Sequence, residues 1–100
     1  MRPIHDAQFE TVHPVLVLTR ELVRPHLETV TVAPIHSTGR GLSTELSLGE
    51  SNGVEDGSVV DCDAITTIPA SALGANRGFL LPVQEVQLTK ALRSAFDLES

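Results

Sequence analysis

Val30-Thr31-Val32-Ala33-Pro34-Ile35-His36-Ser37-Thr38-Gly39-Arg40-Gly41 is a run of β-branched residues that reaches a proline and opens into a polar loop. Residues 28–33 alternate, with Val30 and Val32 on one face and Thr29 and Thr31 on the other. That pattern predicts a strand ending at Pro34. The loop beyond it offers an imidazole, two hydroxyls and a guanidinium between glycines, groups that can hold a phosphate and move a proton beside it. A second histidine, His13, precedes Pro14 at the mouth of another apolar run, residues 15–18, which reads as a buried strand.

Working outward, residues 42–48 alternate again, with Leu42, Thr44, Leu46 and Leu48 on one side. Residues 49–57 form a turn-rich acidic connection, and residues 58–62 and 64–68 read as two short strands, the second ended by Pro69. Residues 70–74 predict one helical turn closed by glycine, and residues 78–81 another strand. Pro82 then stands where the first turn of a helix accepts proline, and residues 83–96 run without Gly or Pro. At helical spacing Leu88, Ala91, Leu92, Ala95 and Phe96 share a face opposite Lys90, Arg93, Ser94 and Asp97. Val83 and Val86 fall on the polar side of that helix, as an interface or as cover for a strand end. Short strands followed by one C-terminal helix predict a mainly β domain with a C-terminal helix (α+β), a small, strongly bent sheet or partly open barrel.

The 100 residues suffice for one compact domain, expected over 1–100, and are too few for two. Its core must be aliphatic, because the chain has three Phe and no Trp or Tyr. The N-terminus carries no secretory pattern, no apolar run reaches the roughly 20 residues that span a bilayer, and lone Cys62 lacks a disulfide partner. Cytoplasmic residence without a membrane contact is the expectation. The net charge of −6 falls entirely in the second half, from Glu45 on, so the excess acids are expected to lie away from the histidine loops. That balance disfavours a broad duplex-DNA footprint, while leaving room for a local polyanion groove lined by N-terminal arginines.

The four histidines stand eight or more residues apart, and Cys62 has no neighbouring thiol, so no metal module and no cofactor is expected. Gly39-Arg40-Gly41 leads into a strand rather than a helix, which disfavours a P-loop or dinucleotide site, and Ser37 is not on a nucleophile elbow. What remains is metal-free chemistry on RNA, whose 2′-hydroxyl is its own nucleophile. Two imidazoles, each titrating near ~6.5 when unperturbed, can divide the base and acid roles between them. His13 and His36 fit those roles, and Ser37, Thr38, Arg40 and Arg20 fit the holding of phosphate. Taken singly, each residue reads equally as a surface histidine, a turn hydroxyl or a solvated charge.

The order of motifs resembles the MazF/PemK-type toxins of toxin–antitoxin systems, especially their shorter actinobacterial-style members. The likeness is carried by His13-Pro14-Val15-Leu16-Val17-Leu18-Thr19-Arg20-Glu21, by Val32-Ala33-Pro34-Ile35 through Arg40-Gly41, and by Ser58-Val59-Val60-Asp61-Cys62-Asp63. It continues through Thr66-Thr67-Ile68-Pro69, Ala72-Leu73-Gly74 and Ala95-Phe96-Asp97-Leu98, covering nearly everything from Thr11 on. The resemblance implies a small SH3-like barrel with a C-terminal helix that forms a homodimer. It implies a metal-independent endoribonuclease that cuts single-stranded messenger or ribosomal RNA sequence-selectively, leaving a cyclic phosphate and a 5′-hydroxyl, and so arrests growth. It further implies a cognate, MazE-like antitoxin whose tail occupies the RNA groove, with DNA contacted only through that complex. The family's opening Gly-Asp-hydrophobic-Trp strand is absent. At the family's catalytic arginine and threonine positions this chain carries His13 and His36. Two readings follow: the histidines rebuild an acid–base pair, or the site has decayed to one that binds antitoxin without cutting RNA.

Overall fold

A computed structural model describes residues 1–98, so the last two residues of the expected domain, Glu99 and Ser100, lie outside the described residues. The chain forms β1 (Pro3–Gln8), β2 (Val12–Val17), β3 (Thr29–His36), β4 (Glu45–Ser47), β5 (Val59–Asp61), β6 (Thr66–Pro69), β7 (Leu73–Phe79) and helix α1 (Pro82–Phe96). All pairings are antiparallel, in the order β4-β5-β3-β2-β1-β7, with β6 lying beside the first half of β3. The sheet bends strongly but leaves β4 and β7 as unjoined edges, a mainly β open barrel capped by one C-terminal helix.

β3 organises the sheet. Val15↔Pro34, Leu16↔Ala33 and Val17↔Val32 pair it with β2 on one edge. On the other edge β6 pairs Thr29 through Val32, and β5 then takes over at Ile35 and His36. The strand therefore runs through Pro34 instead of ending there. Pro34 falls at the hand-over between the two neighbours, where neither ladder includes it and its missing N–H disrupts nothing.

Alternation along β2 and β3 feeds two apolar clusters, one on each face of the sheet. Ile4, Leu16, Ala33, Ile35, Leu46 and Val60 join Leu88 and Ala91 of α1 in the larger one. Val15, Val17, Val30, Val32 and Ile68 make the smaller one with Ala7. Leu88 and Ala91 anchor α1 as the periodicity predicts, but Phe96 is 56% exposed and does not pack on the sheet. Val83 and Val86 are also exposed and so cover no strand end.

Three further expectations are corrected. An N-terminal strand forms despite the missing family motif: Pro3 opens it, Ile4 and Ala7 are buried, and a register irregularity around His5 fits it between β2 and β7. The strand expected over 42–48 shrinks to Glu45–Ser47, since Leu42 is exposed and Ser43 and Thr44 turn. Residues 70–72 do form a single 3-10 turn, but Gly74 does not close it; the chain continues directly into β7, which takes in only Gly78 and Phe79 of the strand expected over 78–81. Gly78 is tolerated inside this edge strand because it crosses Gly53 at backbone contact, where a Cβ on Gly78 would collide with the Asn52 carbonyl. Gly53 itself has φ 82°, outside the range that side chains favour.

The crossing is held by Asn52, which is fully buried. Its Nδ2 donates to the Phe79 carbonyl (3.0 Å) and to Gln84 Oε1 (2.7 Å), and its Oδ1 accepts from Gln84 Nε2 (3.1 Å) and the Gly49 N–H (3.2 Å). Gln84 Oε1 also accepts the Leu81 N–H at 2.8 Å, which caps the start of α1. The turn over 49–57, the end of β7 and the helix are thereby bolted into one unit beside the groove described next.

Candidate active site

The β2–β3 register, continued past Val15↔Pro34, brings His13 level with His36. Both residues sit at even spacing from Val15 and Pro34 respectively, so both project from the same face of the sheet. The two prolines, Pro14 and Pro34, lie just inside that end and fix how the strands enter it. His13 and His36 line a groove of about 530 Å³ together with Ser37, Thr38, Glu55 and Arg77. They also border an adjoining depression of about 390 Å³ that reaches Phe9, Glu10 and Thr66. The pair therefore stands on the saddle between two surface troughs.

The histidines have different surroundings. His36 Nε2 lies 3.0 Å from Asp61 Oδ2, with the imidazole 43% exposed and the carboxylate 8% exposed. Asp61 Oδ1 accepts the Asp63 N–H at 2.9 Å. Burial works to raise the Asp61 carboxyl, but the His36 hydrogen bond, the Asp63 N–H and the charges of His36 and Arg40 outweigh it. It therefore lies below its ordinary value and is ionised at neutral pH. His13 instead packs its ring edge-on against Phe9, with centroids 4.8 Å apart and planes at 61°.

Two amides of the glycine loop are turned to Glu45. The Arg40 and Leu42 N–H groups donate to Glu45 Oε1 at 2.9 and 3.1 Å, so the loop wraps a carboxylate of its own chain. The Leu42 amide leads in holding the Glu45 carboxyl below its ordinary value; burial opposes it, and the Arg40 amide and guanidinium add to it. The Arg40 side chain reaches 3.7 Å from Glu45 Oε2 and 3.9 Å from Asp61 Oδ2, which sets it beside the His36–Asp61 pair. Arg20 lies elsewhere, in a separate depression of about 190 Å³ with Arg2, Thr19 and Glu85, at the far end of β2 from His13.

Two features of this arrangement run against expectation or escape it. The acids of the second half do not keep away from the histidines: Asp61 touches His36, and Glu55 lines the groove. Arg77, on β7, forms part of the same wall, held by Asp6 Oδ1 at 3.1 Å. Asp61 had a local signal, an acid closing the apolar run Val59-Val60, while Arg77 had none, because its place depends on β7 returning beside β1. Cys62, beside Asp61, is buried, and burial together with the Asp61 and Asp63 charges pushes its thiol up to about 11, so it serves as a small core residue.

Among the described residues no group of three or more His, Cys, Asp or Glu side chains is disposed to hold a metal ion. Among the same residues no helix is long and apolar enough to cross a membrane.

Comparison with known proteins extends the likeness into β1. The family described as PemK-like, MazF-like toxin of type II toxin-antitoxin system matches residues 3–96. Endoribonuclease MazF3 of Mycobacterium tuberculosis is 54% identical over 99 residues, which span 99% of this chain and 96% of the relative. The structure of the Mycobacterium tuberculosis toxin MazF-mt6 is 54% identical and superposes with a TM-score of 0.95, over 99% of this chain and 100% of that one. An endoribonuclease in complex with its cognate antitoxin, from a mycobacterial species, shares the fold at 21% identity, with a TM-score of 0.87 over 98% of this chain and 94% of that one. Fold and sequence therefore converge: this chain belongs to the PemK-like, MazF-like toxins of type II toxin–antitoxin systems.

Proposed function

We propose that the protein is the endoribonuclease toxin of such a system, a single toxin domain cutting single-stranded RNA sequence-selectively and without a metal ion. The observation that carries this reading is the placement of His13 and His36 on one face of the sheet, in one groove. The two imidazoles share general base and general acid roles in the attack of the 2′-hydroxyl on its own phosphodiester. Ser37 and Thr38 supply hydroxyl contacts to the phosphate from the same groove, and Arg40 supplies positive charge from beside His36. Arg20 lies outside this groove and takes no part in the reading. With so few aromatics, base recognition rests on polar side chains and backbone rather than stacking.

The biological unit is a cytoplasmic homodimer, inhibited by a MazE-like antitoxin whose tail enters the groove, with DNA contacted only through that complex. Support for the antitoxin comes from the family and from the antitoxin-bound neighbour that shares the fold. Exposed Phe79, Val83 and Val86 give the protomer an apolar surface near the start of α1 that a second copy would cover.

A second reading, a module that binds antitoxin without cutting, is favoured by one observation. Arg40 already lies within ion-pairing reach of Glu45 and Asp61, which weakens its pull on a phosphate. The two separate cleanly. Purified protein incubated with a long single-stranded RNA in excess chelator should give defined cuts with 5′-hydroxyl ends, and its expression should arrest growth. Intact RNA from a folded protein that is harmless on expression would establish the binding module instead.

A further inference from the structure

We propose that Asp61 is a positioning residue that makes His36 the general base and leaves His13 the general acid. The assignment rests on the ribonuclease reading above and adds to it the direction of proton flow.

Asp61 is buried, and as a carboxylate it can only accept hydrogen bonds. Its Oδ1 is satisfied by the Asp63 N–H, and its Oδ2 faces His36 Nε2 at 3.0 Å. Neutral His36 must then carry its proton on Nε2, which places the lone pair on Nδ1, the nitrogen able to take a proton. The ring is held by β3 on one side and by this bond to β5 on the other, so its orientation is set before substrate arrives. His13 has no such partner: among the described residues no carboxylate lies within ion-pairing distance of it, and its ring rests against Phe9.

That asymmetry matters because the two roles change charge in opposite directions. In the step, Nδ1 of His36 takes the proton of the 2′-hydroxyl as the 2′-oxygen–phosphorus bond forms. The bond from phosphorus to the 5′-oxygen breaks, and the His13 imidazolium gives its proton to that oxygen. The products are a 2′,3′-cyclic phosphate and a 5′-hydroxyl, with one proton taken up and one released. The base gains positive charge and the acid loses it. A fixed carboxylate stabilises a base that is becoming cationic, and would hold back an acid that must become neutral.

The other charges around His36 modulate this without reversing it. Arg40 shares Asp61 Oδ2 at 3.9 Å but is also drawn to Glu45 at 3.7 Å. Asp63 is engaged by the Thr44 hydroxyl at 2.6 Å. In the groove Glu55 stands with Arg77, whose charge is offset by Asp6, and Glu10 lines the adjoining trough that both histidines border, making no ion pair with either.

The experiment has two parts. Nitrogen-15 NMR of the wild-type protein at alkaline pH should show His36 with its proton on Nε2; a predominant Nδ1–H form would overturn the proposal. The pH dependence of kcat/KM on one defined oligonucleotide is then compared for wild type, Asp61→Asn and Asp61→Glu. The near-isosteric Asp61→Asn should lose about tenfold or more in rate and move the acidic limb to lower pH, because the imidazolium of the base loses its carboxylate. Asp61→Glu should recover part of the rate. A folded Asp61→Asn protein with unchanged rate and limbs, or with the basic limb moved instead, would overturn the assignment. If the wild type leaves RNA intact, the ribonuclease reading itself fails and takes the assignment with it, whatever tautomer the NMR reports.

Discussion

His36 differs from an ordinary loop histidine by one bond, the 3.0 Å contact that ties its ring to a buried carboxylate. His13 and His36 could be picked out by residue type and by their position at strand ends beside prolines, and Ser37 and Thr38 by adjacency to His36. Asp61 comes beside them only when β5 pairs with the second half of β3, a contact across 25 positions that no local pattern encodes. Arg20 illustrates the reverse error: it is close to His13 in the chain, but β2 carries the two to opposite ends. The same residues make the fold acid-sensitive. Asp61 and Glu45 both have folded carboxyls below their ordinary values, so they contribute stability above the unfolded carboxylate range of ~4, and it is lost as pH falls through their folded values. Urea midpoints should therefore drop as pH is lowered from about 5 to 3, and Asp61→Asn should flatten that dependence. A wild-type midpoint independent of pH over this range would contradict it.

Among the elements, the strands rich in β-branched residues and the amphipathic helix were legible because their periodicity coincides with their burial: Val30, Val32, Leu88 and Ala91 all face the interior. β1 and β7 were not. Leu73-Gly74-Ala75-Asn76-Arg77-Gly78-Phe79 has little β propensity, and its strand conformation comes from pairing with β1. The Asn52–Gln84 bolt predicts a large cost for Asn52→Ala, about 2–4 kcal/mol, because the Phe79 carbonyl and Gly49 N–H lose a buried partner. Gly78→Ala should cost at least about 2 kcal/mol, since the new methyl meets backbone rather than a movable side chain. Leu88→Ala, which opens the joint between α1 and the sheet, should cost about 2–5 kcal/mol. Chemical denaturation at constant m-value measures all three; changes under 0.5 kcal/mol would mean that these contacts do not hold the unit together.

For the molecule as a whole, charge counted along the chain gave a false picture of charge in space. Acids of the second half fold back toward the histidines, Asp61 against His36 and Glu55 into the groove, so the groove carries a mixed set of charges. Weak salt dependence of RNA affinity follows, because few phosphates are neutralised on binding; a steep fall in affinity between low and physiological salt would contradict it. The proposed dimer predicts a solution mass twice the 10.7 kDa of one chain, read by sedimentation equilibrium, with Val86→Lys shifting it toward the monomer. In the proposed mechanism two histidines replace the usual pair and divide the proton transfers between them. Its most direct test is the pH profile of kcat/KM for cleavage of one defined oligonucleotide by wild type, His13→Ala and His36→Ala. The wild type should give a bell with one limb from each histidine, and each variant should lose about 10²-fold or more in rate together with one limb. Variants that cut at the wild-type rate with an unchanged bell would place the chemistry elsewhere.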